Sequence, residues 1–249
     1  MVIGYVTDKG LIREENQDSI LIQDCPRFAC TIFAVCDGMG GAKAGGVASA
    51  AACRTFVDYI QQKLSGRNLK SILMQELLFS AASLTNGTVY ELASFVEEYN
   101  GMGSTLVGGI AFDDGRIYLI NVGDSRAYRL SKRAGKLVQV TTDHSFVEEL
   151  VRAGIINRNE ARNHPQRNVI TRAIGSEQTV DADYYEFSIR RREMLLVCTD
   201  GLHKFVTDEE IYDYFEIDPN PDDYCDTLLQ LVRERGAGDN VTIAAFLKL

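Results

Sequence analysis

The chain has 249 residues, of which 45% are hydrophobic and 24% charged, and its formal net charge at pH 7 is −9. This size and composition predict one domain spanning residues 1–249 with a large core. The negative charge, with no basic run recognised, excludes nucleic acid as an expected main partner. Apolar runs fall far short of the roughly 20 residues that span a bilayer, and no signal-peptide pattern opens the chain. We therefore expect a cytoplasmic protein with no membrane partner.

The N-terminal part begins with strand patterns and continues with helix patterns. Strands are predicted in MVIGYVT, in SILIQ from Ser19 and in FACTIFAVC from Phe28, because these segments are rich in β-branched and aromatic residues. Apolar residues at helical spacing then predict one helix from Ala44 to Leu64 and a second from Leu69 to about Glu98.

The middle of the chain returns to strands. The segments STLVGGIAF, RIYLINVG and SRAYRL show the alternation of antiparallel hairpins, with a turn at Asp113-Asp114-Gly115. A short helix is predicted in HSFVEELVRAG. The polar segment NRNEARNHPQRNVITRAIG has little periodicity and is predicted to be a long loop or flap, a kind of segment that is often functional.

The last quarter alternates strand and helix once more. EMLLVCTDG predicts a strand, and the pattern T-x-x-E from Thr207 predicts the start of a helix. A further helix is expected from about Asp222 to Arg235, followed by the strand VTIAAFL. Alternating groups of strands and helices indicate a layered α+β domain.

Four aspartates follow strand-like or Gly-containing segments that lead into turns: Asp37 after FAVC, Asp124 after INVG, Asp200 after LLVCT and Asp239 after RERGAG. One such aspartate is usually a turn residue or a helix cap. Four of them can converge at one edge of a layered sheet, where their charges repel unless a cation neutralises them. Carboxylate ligands with few histidines favour Mg²⁺ or Mn²⁺ over zinc.

Seven segments together resemble one protein family: TDKGLIREENQDS, VCDGMGGAKAGGVAS, GMGSTLV, INVGDSRAYRL, HPQRNVITRAIG, LLVCTDGL and GAGDNVTI. In order and spacing they are similar to the metal-dependent protein serine/threonine phosphatases of the protein phosphatase 2C-like (PPM) type. The DGMGG form and the flap resemble the bacterial branch. The resemblance implies an α+β four-layer αββα sandwich, in which two stacked antiparallel sheets are flanked on both sides by antiparallel helix pairs.

The resemblance also implies residue roles in the candidate site. Asp37 would bridge two Mn²⁺ or Mg²⁺ ions, with the carbonyl of Gly38 on one ion and Asp200 and Asp239 on the other. Asp124 and Asp200 would hold a possible third ion. Asp18 would orient the attacking water, and Arg13, whose planar guanidinium can donate two hydrogen bonds, would bind the substrate phosphate.

The implied activity is hydrolysis of phosphoserine and phosphothreonine in phosphorylated proteins by a water that the ions activate. Such an enzyme would oppose a bacterial serine/threonine kinase, and we expect it to act as a monomer.

The sequence departs from the family at its proton donors. Some members carry a histidine directly after DG, where this chain has Met39. Others carry a histidine after DGMGG, where this chain has Ala42. Because a serine alkoxide is a poor leaving group, a proton must come from elsewhere. Our hypothesis is water on the ions, with Lys43 or His144 as weaker alternatives.

Two alternatives to this function stay open from the sequence. One is a pseudoenzyme that uses the fold for binding, although every matching metal position is filled. The other keeps the chemistry but acts on phosphotyrosine or a small phosphomonoester. A cysteine-dependent phosphatase is excluded, because none of the six cysteines has an arginine six positions later.

Overall fold

The computed structural model describes residues 1–41, 44–66, 72–217 and 219–249. In these ranges the strands are β1 (Val2–Asp8), β2 (Asp18–Cys25), β3 (Cys30–Met39), β4 (Gly103–Ser104), β5 (Leu106–Phe112), β6 (Arg116–Val122), β7 (Arg126–Ser131), β8 (Lys136–Gln139), β9 (Asp183–Ser188), β10 (Glu193–Cys198) and β11 (Val241–Leu247). The α-helices are α1 (Ala44–Ser65), α2 (Met74–Phe95), α3 (Phe146–Arg152), α4 (Arg158–Arg162), α5 (Asp200–His203), α6 (Asp208–Ile217) and α7 (Pro221–Glu234). Across the same ranges, no helix has the length and hydropathy that crossing a bilayer requires.

The strands form two sheets in which all neighbours are antiparallel. The first sheet has the order β1-β11-β10-β7-β8, and the second has the order β2-β3-β5-β6-β9 with β4 beside the end of β3. The sheets pack face to face, and the rings of Phe33 and Phe246 meet between them with centroids 4.9 Å apart. Helices α1 and α2 cover the second sheet, while α5, α6 and α7 cover the first. The predicted four-layer α+β sandwich is confirmed.

Strand β3 shows why the apolar runs of the sequence are continuous rather than alternating. Ile32, Ala34 and Cys36 pack with the helices on the outer face, whereas Phe33 and Val35 pack between the sheets. Successive side chains of a strand point to opposite faces, and both faces of β3 are buried. The strand that ends near Asp37 is therefore fixed on two sides by the core.

The two long helices agree with the sequence except at their ends. Helix α1 extends one residue beyond the predicted Leu64. Helix α2 ends at Phe95 rather than Glu98, because Val96 has extended backbone angles and a 3₁₀ turn follows. Residues 67–71, which include the predicted start at Leu69, lie outside the described part of the chain.

The segment predicted as a featureless flap contains a helix, so that prediction was wrong in part. Helix α4 starts with a capping box: the Asn157 side chain accepts from the backbone N–H of Glu160, and the Glu160 carboxylate accepts from the N–H of Asn157. This N-x-x-E pattern is visible in the sequence. The flap is tied down by isolated bridges between Ser104 and Ile174 and between Ser145 and Ile170.

Besides α4, two strands and a second short helix, α5, were missed. Strands β8 and β9 are half-exposed edge strands, so neither has the apolar run of a central strand. The strand predicted in EMLLVCTDG stops at Cys198, and α5 begins at Asp200. The predicted capping pattern at Thr207 is present, since its hydroxyl accepts from Glu210 N–H at 3.3 Å.

Candidate metal centre

The five aspartates singled out in the sequence meet at one edge of the sandwich. Asp18 begins β2 and lies opposite Asp37 in the strand register. Asp124 follows β6, Asp200 follows β10 and Asp239 precedes β11. Burial raises the pKa of Asp37 well above its ordinary value, and the charges of the other four aspartates raise it further. The other four side chains are therefore within electrostatic reach of Asp37, and we call the five residues the aspartate cluster.

The aspartate cluster has unfavourable electrostatics of its own. Burial raises the pKa of Asp18 from 3.8 to about 7, although hydrogen bonds from the hydroxyls of Thr242 and Thr199, both at 2.8 Å, lower it. Burial also raises the pKa of Asp124 to about 7, and the charge of Asp200 adds to this. Each carboxylate would be easier to ionise if a cation neutralised its neighbours.

Two oxygen atoms of the aspartate cluster lack a partner. Among the described residues, the Oδ1 atoms of Asp18 and Asp200 are buried and accept no hydrogen bond. Buried polar atoms in proteins are nearly always paired, since leaving one unpaired costs about 1–3 kcal/mol. Unpaired carboxylate oxygens at a negatively charged edge fit oxygen-preferring divalent cations such as Mg²⁺ or Mn²⁺.

The aspartate side chains are not closed around an ion as they stand. Within the described ranges, no group of three or more His, Cys, Asp or Glu side chains is arranged to hold a metal ion. Asp200 and Asp239 instead pair with the ammonium group of Lys204.

Gly38 is required by the close approach of β3 and α1. A Cβ atom at Gly38 would lie 2.0 Å from the carbonyl oxygen of Gly45, far inside contact distance. The backbone beside Asp37 is also held by hydroxyls: Thr105 accepts from the Asp37 N–H at 2.9 Å, and Ser104 donates to the Asp37 carbonyl at 3.0 Å. Gly38 in DGMGG and Ser104 and Thr105 in GMGSTLV are thus explained by packing around Asp37.

Lys204 is a charged neighbour that the sequence analysis did not identify as part of the site. Its ammonium group forms ion pairs with Asp200 and, at 3.5 Å, with Asp239. Burial lowers the pKa of Lys204, but the carboxylates of Asp200 and Asp239 more than offset this and the net shift is upward. Its spacing of four residues from Asp200 on α5 is the signal that could have found it.

Arg13 lies at the mouth of the aspartate cluster. Its guanidinium is 3.0 Å from an Asp239 carboxylate oxygen, and its side chain is 55% exposed. The loop that carries Arg13 is anchored by Asn240, whose amide donates to the carbonyls of Lys9 and Glu15, both at 2.9 Å. An exposed arginine on an anchored loop beside buried carboxylates is well placed to meet an anion from solvent.

Arg126 and Asp143 form an ion pair beside Asp124 that was not predicted from the sequence. The guanidinium of Arg126 donates to both carboxylate oxygens of Asp143, with a closest distance of 2.7 Å. Both side chains are mostly buried, and Arg126 follows Asp124 by two residues. A buried bidentate pair of this kind fixes geometry more than it adds stability, so it holds the turn that presents Asp124.

His144 is placed as a clamp. Its Nδ1 accepts from the backbone N–H of Gly123 at 3.1 Å, so its Nε2 carries the proton and faces an Asp183 carboxylate oxygen 3.3 Å away. Arg172 of the flap also contacts Asp183, at 3.0 Å. His144 thereby connects the turn before Asp124 to the flap. Burial lowers the pKa of His144, which keeps the ring neutral.

Neither the positions where family members carry a histidine nor the other two histidines supply a proton donor among the described residues. Met39 ends β3 and has no proton to give. Ala42 and Lys43 lie outside the described residues. The Nε2 of His203 lies 3.1 Å from the Asp124 carbonyl oxygen, and burial lowers the His203 pKa well below its ordinary value. His164 accepts from the N–H of Gln166 within the flap.

Solved structures with the same architecture are phosphatases. The serine/threonine phosphatase Stp1 from Staphylococcus aureus is 34% identical, with a TM-score of 0.87, over 98% of this chain and 94% of that one. The catalytic domain of the serine/threonine protein phosphatase PstP, in complex with two manganese ions, is 30% identical with a TM-score of 0.77, over 98% and 97% of the two chains. The fold thus defines the class of bacterial serine/threonine phosphatases.

Sequence comparison gives the family. The family Protein phosphatase 2C matches residues 13–241. The serine/threonine phosphatase stp of Listeria welshimeri is 33% identical over 242 residues, which are 96% of this chain and 92% of the relative. The chain belongs to the protein phosphatase 2C family, in its bacterial branch.

The raised pKa values predict how the stability of the metal-free protein depends on pH. A carboxyl group whose pKa is about 7 when folded and 3.8 when unfolded stabilises the fold at low pH, and this contribution is lost as the pH rises through 7. In chelator, the Tm should therefore fall between pH 5 and pH 8. Asp37→Asn, which removes one of the repelling charges, should flatten this fall and raise the Tm at pH 8 by a few degrees.

Thermal unfolding followed by circular dichroism measures both effects. The control is Asp58→Asn, at an exposed position of α1 outside the aspartate cluster, which should track the wild type. Equal Tm values for wild type and Asp37→Asn in chelator across this range would contradict the repulsion argument. Added Mn²⁺ should raise the Tm of the wild type more than that of Asp37→Asn.

The placement of His144 predicts a positioning role rather than proton donation. His144→Asn should lower the turnover of a phosphoserine peptide and of an aryl phosphate by similar factors, because both need the same turn and flap. Their rates, measured side by side, should keep their ratio within about twofold. A much larger loss on the phosphoserine peptide, whose alkoxide needs a proton, would instead identify His144 as the acid.

Proposed function

We propose that this protein is a Mg²⁺- or Mn²⁺-dependent phosphatase that hydrolyses phosphoserine and phosphothreonine in proteins. The observation that carries the proposal is the pair of unpartnered, buried carboxylate oxygens on Asp18 and Asp200, in a cluster of aspartates with Arg13 at its mouth. Family membership supports it, and the likeness to PstP with two manganese ions supports the choice of cation.

The proposed ligands are divided among two core ions and a possible third ion. Asp37 would bridge two ions, with the carbonyl of Gly38 on one and Asp200 and Asp239 on the other. Asp124 and Asp200 would hold a third when it is present. When bound, such ions activate water for in-line attack and stabilise the charge that develops on the phosphate.

Asp18 is held in one orientation by the chain itself. Its Oδ2 accepts from two threonine hydroxyls, one of them on the first-sheet strand β11, so its Oδ1 remains directed into the cluster. A carboxylate fixed in this way can orient water and hold a proton without moving. Its proposed role is positioning.

Arg13 would bind the substrate phosphate by leaving its present partner. The ion pair with Asp239 involves an arginine that is more than half exposed, so it contributes little to stability. Phosphate oxygens offer the planar guanidinium two parallel hydrogen bonds, and Asp239 would then be free for a cation. If Arg13 exchanges Asp239 for phosphate, substrate binding and cation binding at Asp239 favour each other.

The proton for the leaving alkoxide is proposed to come from water. Met39 offers no proton, and the ring of His144 is engaged by Gly123 and Asp183. The remaining sequence candidate, Lys43, lies outside the described residues.

The biological setting is proposed from the same family. Serine/threonine specificity implies a bacterial serine/threonine kinase as the opposing enzyme and phosphorylated proteins as substrates. We propose that residues 1–249 form one catalytic domain, since the helices and both sheets share continuous cores. We also propose that the protein is cytoplasmic and monomeric.

Hydrolysis of matched phosphopeptides tests the proposal. Phosphoserine and phosphothreonine peptides should be hydrolysed with Mn²⁺ or Mg²⁺ and not with chelator, and phosphotyrosine peptides should be poor substrates. Asp37→Asn should lose most activity, by roughly a hundredfold or more, because it removes the proposed bridging charge. The isosteric control Asp58→Asn should be fully active.

Each failure has a distinct meaning. Activity that survives both chelation and Asp37→Asn would refute the metal mechanism. A phosphotyrosine preference would change the substrate class while leaving the chemistry intact. Inactivity on all peptides, with Mn²⁺ binding shown by calorimetry, would identify a pseudoenzyme.

Arg13 provides a second, independent prediction. Arg13→Ala should lower kcat/KM by roughly tenfold or more for every phosphomonoester, since a charged hydrogen-bond pair contributes about 1.5–3 kcal/mol. The Tm should hardly change. Arg233→Ala is the matched control, because Arg233 is also an exposed arginine paired with an aspartate, Asp8. Similar losses in both variants would argue against phosphate binding by Arg13.

A further inference from the structure

Six basic side chains are grouped at the end of the sandwich opposite the aspartate cluster. Lys132 and Arg133 lie in the turn from β7 to β8 and Lys136 begins β8, while the turn from β9 to β10 carries three successive arginines, Arg190, Arg191 and Arg192. All six side chains are exposed. The register pairs Ser131 with Glu193, which places the two turns side by side. We call these six residues the basic end; the sequence analysis recognised no basic run.

None of the six residues of the basic end forms an ion pair with a carboxylate of the described residues. Glu193, the acidic residue between the two turns, is already paired with Arg129 at 2.6 Å. Asp113 and Asp114, in the β5–β6 turn at the same end, pair with the N-terminus and with Arg116. Six cations without an ion pair are therefore grouped at one end of a chain whose net charge is −9.

A groove adjoins the basic end. It has a volume of about 630 Å³ and lies between β8 and β9, and its apolar lining includes Val138, Val140, Tyr184 and Phe187. The acidic residue in its lining is Glu186, whose carboxylate accepts a hydrogen bond from the Tyr184 hydroxyl at 3.1 Å. Lys136 stands at its rim as both a lining residue and a member of the basic end. We call this the β8/β9 groove.

The walls of the β8/β9 groove are strand edges. Strand β8 ends the order of the first sheet and β9 ends that of the second, so in the described chain neither has a partner on its outer side. Outer N–H and C=O groups of an edge strand are free to pair with another extended chain. Free strand edges, apolar lining and adjacent cations together suit an extended acidic polypeptide.

The β8/β9 groove also leads towards the aspartate cluster. A second cavity, of about 490 Å³, is lined by Asp124 and Lys204 and shares the residue Gln139 of β8 with the groove. Strand β7, beside β8, runs from two residues after Asp124 to the basic end over six residues, or about 20 Å. An extended chain of about six residues covers this distance.

We propose that the β8/β9 groove docks an extended acidic segment of the phosphorylated substrate protein, about six to ten residues away from the phosphoresidue. This rests on the proposed function and adds a substrate class to it: phosphoproteins with an acidic stretch at that spacing. Docking at the groove raises the local concentration of the phosphoresidue at the aspartate cluster without touching the reacting atoms.

Paired phosphopeptides test the proposal. Both peptides of a pair have the same phosphothreonine core and an extension of ten residues. In the acidic peptide the extension is rich in Asp and Glu and contains two Val. In the neutral peptide Asn and Gln replace the acidic residues. Extensions on either side of the core are compared, since the direction of the docked chain is open. The acidic peptide should have a kcat/KM about three- to tenfold above its neutral partner, through a lower KM.

Single charge reversals locate the effect. Arg133→Glu, Lys136→Glu and Arg191→Glu should each remove most of the acidic preference, and high salt should do the same for the wild type. Arg54→Glu, at an exposed position of α1, is the matched control and should keep the preference. Hydrolysis of an aryl phosphate should be unchanged in all four variants, which shows that they are folded and active.

The outcomes separate the docking proposal from the proposed function. Normal aryl phosphate turnover without an acidic preference, or a preference that survives all three reversals, would overturn docking alone. Loss of turnover on every substrate by the wild type would instead defeat the proposed function. Binding to vesicles of anionic phospholipid that the reversals abolish, with no acidic preference, would overturn the proposal in favour of a membrane surface.

Discussion

Repulsion among buried carboxylates is the constraint on which the rest of this structure depends. Antiparallel strands of both sheets end at the same edge, so residues far apart in sequence, such as Asp18, Asp124 and Asp200, come together there. Burial and mutual repulsion raise the pKa values of Asp18 and Asp124 to about 7. Such a cluster is tolerated only because the core holds its strands on both faces and because positive charge can enter it.

Different kinds of contact hold different parts of the aspartate cluster in place. Hydroxyl groups fix Asp18 and the backbone of Asp37, while buried charge pairs, such as Arg126 with Asp143, fix the turns. Lys204 and Arg13 place positive charge beside Asp200 and Asp239. Fixed charges of this kind suit a phosphatase, because preorganised charges stabilise the charge that develops in the transition state.

Charge is separated along the sandwich as well. The aspartate cluster lies at one end of β7 and β10, and the basic end lies at the other, about one strand length away. The edge strands β8 and β9 run between them. The proposed hydrolysis of phosphate and the proposed docking of phosphoproteins thus use different surfaces, which could change independently.

Apolar periodicity, a local property of the chain, was enough to predict a layered α+β domain and both long helices. The order and spacing of seven motifs carried the family resemblance, and that resemblance implied the sandwich, the set of aspartates and Arg13. Only the tertiary structure decided that Thr199 and Thr242 orient Asp18, that Lys204 faces two aspartates and that His144 clamps a turn to the flap. The edge strands β8 and β9 also escaped prediction, because half-exposed strands lack a strong apolar pattern. Apart from the contact of Lys204 with Asp200, these contacts join residues that are distant in sequence, by more than 200 positions for Thr242 and Asp18, and no local pattern encodes them.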